Sequence, residues 1–238
     1  MRPSLPDFTT VTYGAGGSTR DRTIEACRFL REQTGTPVMS HLTCVGSTRD
    51  ALVDLAGRLH AEGIRNIMAL RGDPPRDVPP VRPAPGDPAY ACDLVSLLSD
   101  VSEDFCIGVA GYPETHTEAD SPETDLIHLK MKLAAGASFV TTQLFFDNAV
   151  YFDFVERCRK AGIYHPVFPG ILPAVSLPQA RRIVAMCGIA LPPRLEVALL
   201  DAGEKGPAAE AVGLQWAARQ IEELLESGAP GIHLYILN

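Results

Sequence analysis

The sequence predicts an α/β fold, a TIM-type β/α barrel forming one domain over residues 1–238, and three observations carry that reading. Short apolar, β-branched runs alternate along the chain with stretches that place apolar residues every three or four positions, the mark of strand followed by amphipathic helix. The strand runs are apolar on both faces, as in a parallel sheet covered by helices. Polar residues also gather at the carboxyl ends of those runs: His41, Asp73, Tyr112, Gln143 and the Pro169-Gly170 pair. In a barrel such ends converge on one mouth, where active sites are built. An open doubly wound sheet shares the alternation but concentrates its polar ends at one switch point.

The elements follow in order. Residues 8–14 (FTTVTYG) read as the first strand, with a helix over 20–33 behind it. Residues 37–44 form the second strand, and Ser47-Thr48 open the next helix. The third strand, 66–73, leads through a Pro-rich loop to a helix near 89–101. The fourth, 105–113, precedes a helix from Ser121, where an N-cap serine, a proline and acids in the first turn make a strong start. The fifth, 139–147, precedes a helix over 149–160. The sixth, 166–173, is followed by two shorter helical pieces and a long helix over 208–227, which delivers the chain to GIHLYILN. Gly136, Gly162, Gly188 and Gly228 stand where helices should stop. Seven strands are recognisable and no helix follows the last, against the eight β/α units of a closed parallel barrel, so the first β/α unit and the last helix are expected to be missing.

Bulk properties exclude several classes. With 238 residues, 46% of them hydrophobic, the chain buries a full core. A net charge of -8 argues against nucleic acid, which needs a basic stripe, while a small anion could still meet local Arg, Lys or helix N-termini. No apolar run approaches the roughly 20 residues of a membrane span, and MRPSLPDF is not a signal peptide. The six cysteines are scattered without a CxxC pair, as expected of reduced, mostly buried thiols in a cytoplasmic protein without a metal site. Gly14-Ala15-Gly16-Gly17 is not a GxGxxG loop and reads as a tight turn that lets backbone approach a ligand.

The segments VTYGAGGSTRDRT, HLTC, GIRNIMALRGDPP, YACDLV, GYPETH, DLIHLKMKLAAGA, TTQLFFD, PGILP and HLYILN, in that order, closely resemble the methylenetetrahydrofolate reductase family of the bacterial, FAD-dependent type. The resemblance covers nearly the whole chain from Phe8 onward. It implies a barrel holding FAD at its mouth. NADH or NADPH passes hydride to the flavin, and methylenetetrahydrofolate then receives it to give methyltetrahydrofolate. It further implies a cytoplasmic homo-oligomer in one-carbon metabolism and methionine biosynthesis.

Residue by residue, the resemblance implies that Thr12, Tyr13 and Ala15 floor the flavin and nicotinamide site, with His41 beside the ring. Arg71, Gly72 and Asp73 line the flavin, and the Asp73 carboxylate, placed near the pterin, would disfavour extra negative charge on the reduced ring. Ala91 is a further cofactor contact. Tyr112, His116 and Ala119 hold the ribityl, diphosphate and adenosine portion. Asp125 takes a ribose hydroxyl and Lys132 a phosphate; seven residues apart, they share one helical face. Gln143 contacts nicotinamide and pterin, since an amide both donates and accepts, and Gln179 is a second folate contact. Asp73 and Gln143 are the catalytic candidates.

Each assignment has a plainer alternative. Arg71 and Asp73 could form a surface ion pair, and His41 could be a core histidine bonded to backbone. His116 could be an exposed loop residue, Asp125 and Lys132 two solvated charges, and Gln179 an ordinary surface side chain. Phe145 and Phe146 read as core rather than as stacking platforms.

Some positions depart from the family. Its members begin with a strand bearing an SFEFFPP-like segment, whose Glu is the proposed acid, and nothing before Phe8 matches it. The acid would then come from sequence upstream of Met1 or from a dimer partner, or be absent in a short form that binds FAD and turns over slowly. The family Arg after the final Leu-Asn has no counterpart through Asn238. His128 and Met131 replace polar or basic cofactor contacts, and Ile183 replaces an aromatic expected to stack on folate. A lost ring costs about 1 kcal/mol of affinity, and a lost acid roughly 100-fold in rate. The alternative function is therefore a non-catalytic or poorly active flavin- and folate-binding barrel. An aldolase-like barrel would need a Lys or metal carboxylates at strand ends, and no strand-end Lys is present.

Overall fold

The computed structural model describes residues 6–12, 19–73 and 83–236. The chain packs as two compact units, residues 1–110 with 131–138, and residues 111–130 with 139–238.

The first unit contains β1 (Thr9–Val11), α1 (Thr19–Thr34), β2 (Val38–Thr43), α2 (Arg49–Ala61), β3 (Asn66–Leu70), α3 (Ala91–Val101) and nearly all of β4 (Cys106–Gly111). Its strands pair in parallel and in chain order, with Thr9 opposite Val38, His41 opposite Met68 and Asn66 opposite Cys106. Thr48 caps α2 by accepting the Ala51 N–H at 3.3 Å. α3 covers the sheet with Leu94, Val95, Leu97 and Leu98, all fully buried. Each such side chain contributes about 1.5–3 kcal/mol of burial free energy, which outweighs the weak intrinsic preference of any single helix.

The second unit contains most of α4 (Pro122–Ala134), then β5 (Phe139–Leu144), α5 (Asn148–Lys160), β6 (Val167–Ile171), α6 (Leu177–Cys187), α7 (Pro193–Asp201), α8 (Pro207–Glu226) and β7 (His233–Leu234). β5 pairs with β6 and β6 with β7, again in parallel. The expected Ser121 cap is present, its Oγ accepting from Thr124 N at 3.2 Å, and Asp147, expected as the end of the fifth strand, caps α5 by accepting from Ala149 N at 2.9 Å. Gly188 ends α6 in the left-handed region at φ 66°. α6, α7 and α8 enclose a core of Phe146, Leu177, Ala180, Ile183, Leu195 and Leu199. Helix α8 comes so close that a Cβ on Gly213 would collide with the Ala174 backbone.

The ladder between β5 and β6 is irregular. Thr141 stands opposite Phe168 and Leu144 opposite Gly170, so Thr142 and Gln143 face Pro169 alone. Proline has no N–H to give a ladder, and the extra residue bulges out.

All seven expected strands are present, and the helices begin and end within two residues of their expected bounds. All seven strands are shorter than expected, most of all the first and the last: β1 covers three residues, and β7 two. Among the described residues no helix is long and apolar enough to cross a membrane.

Candidate active site

In the first unit the parallel ladder runs on past the ends of β2 and β3. Cys44 N donates to Leu70 O at 3.3 Å and Val45 N to Arg71 O at 2.8 Å. The Cys44 S–H adds a bond to the same Arg71 carbonyl at 3.6 Å, and burial pushes this thiol up to about 11. Gly72 then turns the chain at φ 84°, seated on Thr43 and Val45; a Cβ there would stand 2.8 Å from Thr43 Cβ. The turn leaves the Asp73 carboxylate exposed, while Arg71 Nε donates to Gly72 O at 3.3 Å.

The other candidates of this unit sit nearby in sequence. His41 is half-buried within β2, Thr12 is exposed just after β1, and Ala91 opens α3. The turn before α3 is held by Asp93, whose Oδ2 accepts from Ala89 N and Tyr90 N at 3.0 and 2.9 Å. Lys132 is half-buried and its Nζ donates to the Ala110 carbonyl at 2.5 Å, so it is not a free solvated charge. Tyr13, Ala15, the Gly14 to Gly17 stretch and Asn238 lie outside the described residues.

In the second unit the loop after β4 is strongly organised. Thr115 N donates to Tyr112 O at 3.0 Å, closing a turn, and Thr115 itself takes φ 72°. A β-branched residue rarely adopts that conformation, and such strain, worth about 1–3 kcal/mol, clusters at functional sites. His116 N donates to Asp125 Oδ2 at 3.0 Å, and Ala119 N to His116 O at 2.9 Å. Asp125 is only 8% exposed, so its carboxylate holds the loop and is not a solvated charge. The His116 ring meets Tyr112 edge-on, with centroids 4.6 Å apart, and its Nδ1 accepts from Glu118 N at 3.0 Å. A neutral ring with Nδ1 accepting carries its proton on Nε2, which becomes the donor offered outward.

The two glutamines are locked in the same sense. Gln143 Oε1 accepts from Leu144 N at 3.0 Å, and Gln179 Oε1 accepts from Val175 N at 3.1 Å. Both are half-buried, and in each the NH2 group is the part left to donate. Phe145 and Phe146, 0% and 1% exposed, belong to the core as expected. Ile183 is likewise core, against Leu177 and Leu195. His128 and Met131 are exposed on α4.

Three features of the site escaped sequence reading: the Cys44 bond to Arg71, the Asp125 cap on His116, and the Tyr235 hydroxyl, which donates to Thr142 O at 2.9 Å. The segments HLTC and HLYILN carried the signal, without showing which side chain in each would act.

The sequence model of the methylenetetrahydrofolate reductase family matches residues 1–238. The 5,10-methylenetetrahydrofolate reductase of Salmonella typhimurium is 40% identical over 234 residues, 98% of this chain and 76% of that protein. The enzyme of the same name in Escherichia coli is 39% identical over the same shares. Methylenetetrahydrofolate reductase (NADH) 1 of Arabidopsis thaliana is 36% identical over 243 residues, 98% of this chain and 41% of that protein. Among solved structures, a Clostridium thermocellum protein described as binding two copies of 5-methyl-5,6,7,8-tetrahydrofolic acid matches with a TM-score of 0.57 at 14% identity, covering 95% of this chain and 87% of that one. That likeness speaks for the fold alone, and the fold is of the β/α-barrel type. On the family match and the 40% identity together, this chain belongs to the methylenetetrahydrofolate reductase family.

Proposed function

We propose that this chain reduces 5,10-methylenetetrahydrofolate to 5-methyltetrahydrofolate with electrons from NADH or NADPH, through bound FAD. Beyond family membership, the observation that carries the reading is the locking of Gln143 and Gln179, each with Oε1 tied to backbone and its NH2 free to donate. Two fixed amide donors suit a ligand whose pterin ring and carboxylates are rich in acceptors. The name of the Arabidopsis relative favours NADH as donor.

The residues fit an anionic flavin dinucleotide. The test is the His116 ring: with Nδ1 engaged by Glu118 N–H, its Nε2–H suits a diphosphate oxygen without added charge. Tyr112 would donate beside it, Arg71 and Lys132 would supply positive charge, and Asp125 would keep the loop in shape. Thr12, Tyr13, Ala15, His41, Gly72, Ala91 and Ala119 complete the proposed contacts. When bound, the flavin supplies the hydride chemistry. Asp73, set at the outer end of the Gly72 turn, would accept from a pterin N–H and orient the ring. Gln143 would donate to whichever of nicotinamide or pterin occupies the site, and Gln179 to the folate. We further propose that residues 1–238 work as one domain in a cytoplasmic homo-oligomer; all six cysteines being free supports a reducing compartment.

The experiment is an anaerobic incubation of the purified chain with FAD, NADH or NADPH, and methylenetetrahydrofolate. Formation of 5-methyltetrahydrofolate supports the reductase. Bound flavin without methyl product supports the binding-only alternative, and absence of both overturns the proposal.

A further inference from the structure

We infer that Tyr235 is a positioning residue for Gln143, acting through the bulge in β5. This deepens the reading above and rests on Gln143 being a folate contact. Pro169, the residue that faces Thr142 and Gln143, has no N–H to offer their carbonyls, and the shift in register takes Gly170 N off the regular ladder. Thr142 O and Gly170 N are both satisfied in another way. Gly170 N donates to Thr142 Oγ1 at 2.9 Å, and the Tyr235 hydroxyl donates to Thr142 O at 2.9 Å. Every polar atom that Thr142 can offer on this side is therefore taken by β6 or by the residue that follows β7.

The reach of Tyr235 depends on Gly170. Its ring lies against that glycine so closely that a Cβ there would stand 2.6 Å from Tyr235 Cε2 and closer still to Thr142 O. Tyr235 N meanwhile donates to Ile171 O at 2.8 Å, which fixes the base of the side chain. The ring thus spans from β7 across β6 to the peptide that joins Thr142 to Gln143. Bulges beside active sites re-aim a side chain, and this one aims Gln143 only while its carbonyl is held. Without the hydroxyl the Thr142–Gln143 peptide can rotate, and the Gln143 amide, tied to Leu144 N on its far side, rotates with it.

The test is a double-mutant cycle on the FAD-loaded full chain, reading the Kd for 5-methyltetrahydrofolate by calorimetry. Tyr235→Phe keeps the ring and removes only the hydroxyl. It is expected to weaken folate about fivefold, the scale of one hydrogen bond, with FAD affinity unchanged. Gln143→Ala is expected to weaken folate by about tenfold. The double variant should bind like Gln143→Ala alone, because a residue that works through Gln143 has nothing left to position. An unchanged Kd in Tyr235→Phe, or effects that multiply, overturns the inference while leaving the folate reading intact. A Gln143→Ala variant that binds as tightly as the parent, or a parent that binds no folate, overturns both.

Discussion

The backbone N–H of His116 donates to the buried carboxylate of Asp125 at 3.0 Å, so the loop after β4 is held by the helix that follows it. Asp125→Ala removes this acceptor from a half-buried N–H, a loss of about 1 kcal/mol. The expected result is about fivefold weaker FAD binding in a flavin fluorescence titration. Asp125→Asn, which keeps one carbonyl oxygen, should lie between the two. Equal affinity in all three proteins would show that the bond does not shape the cofactor loop.

Gly72 is the second sensitive point. It needs φ 84° and has Thr43 and Val45 against it. Gly72→Ala meets both the backbone penalty and the collision, and is expected to lower stability by about 2 kcal/mol. Urea unfolding checks this. Because the turn carries Asp73, folate affinity should fall as well; stability unchanged from the parent would contradict the geometry.

The cysteines divide into two groups. Cys27, Cys44 and Cys158 are at most 1% exposed, and burial pushes Cys44 and Cys158 up to about 11. Cys92, Cys106 and Cys187 are half-exposed. A thiol reagent at neutral pH should therefore label the second group first and reach the first only on denaturation, since the thiolate is the reactive form. Mass mapping of the labelled peptides reads the order directly.

Burial also holds the His233 imidazole below its ordinary value of 6.5. The unfolded chain then takes up this proton first, so the stability present above about pH 6.5 is lost as pH falls through the lower folded value. Glu114 works against this: burial raises its carboxyl above 4.5, so its contribution grows as pH falls. Comparing His233→Gln with the parent isolates the histidine. The parent should lose more melting temperature than the variant between about pH 7.5 and 5.5; parallel curves would remove His233 from the account.

The fold was legible because it rests on local chemistry. The Ser121-Pro122 start, the Thr48 cap and the glycine stops are each written in a few adjacent residues, and α3 is fixed by four apolar side chains on one face. Parts of the site were legible only as segments. TTQLFFD names Gln143, but not the bulge that presents it, which depends on Pro169 and Tyr235, both distant in sequence. Asp125 and Lys132 both stand on α4, yet the backbone atoms they engage, His116 N and Ala110 O, follow no spacing rule. Contacts of this kind arise from how strands stack, and a one-dimensional pattern does not encode their partners.

The most direct test is a half-reaction. The FAD-loaded protein is reduced anaerobically with NADH, the excess nicotinamide is removed, and methylenetetrahydrofolate is added while the flavin absorbance is followed. Return of the oxidised flavin spectrum with stoichiometric 5-methyltetrahydrofolate is the predicted result. A flavin that stays reduced in the presence of saturating methylenetetrahydrofolate would contradict the reductase assignment.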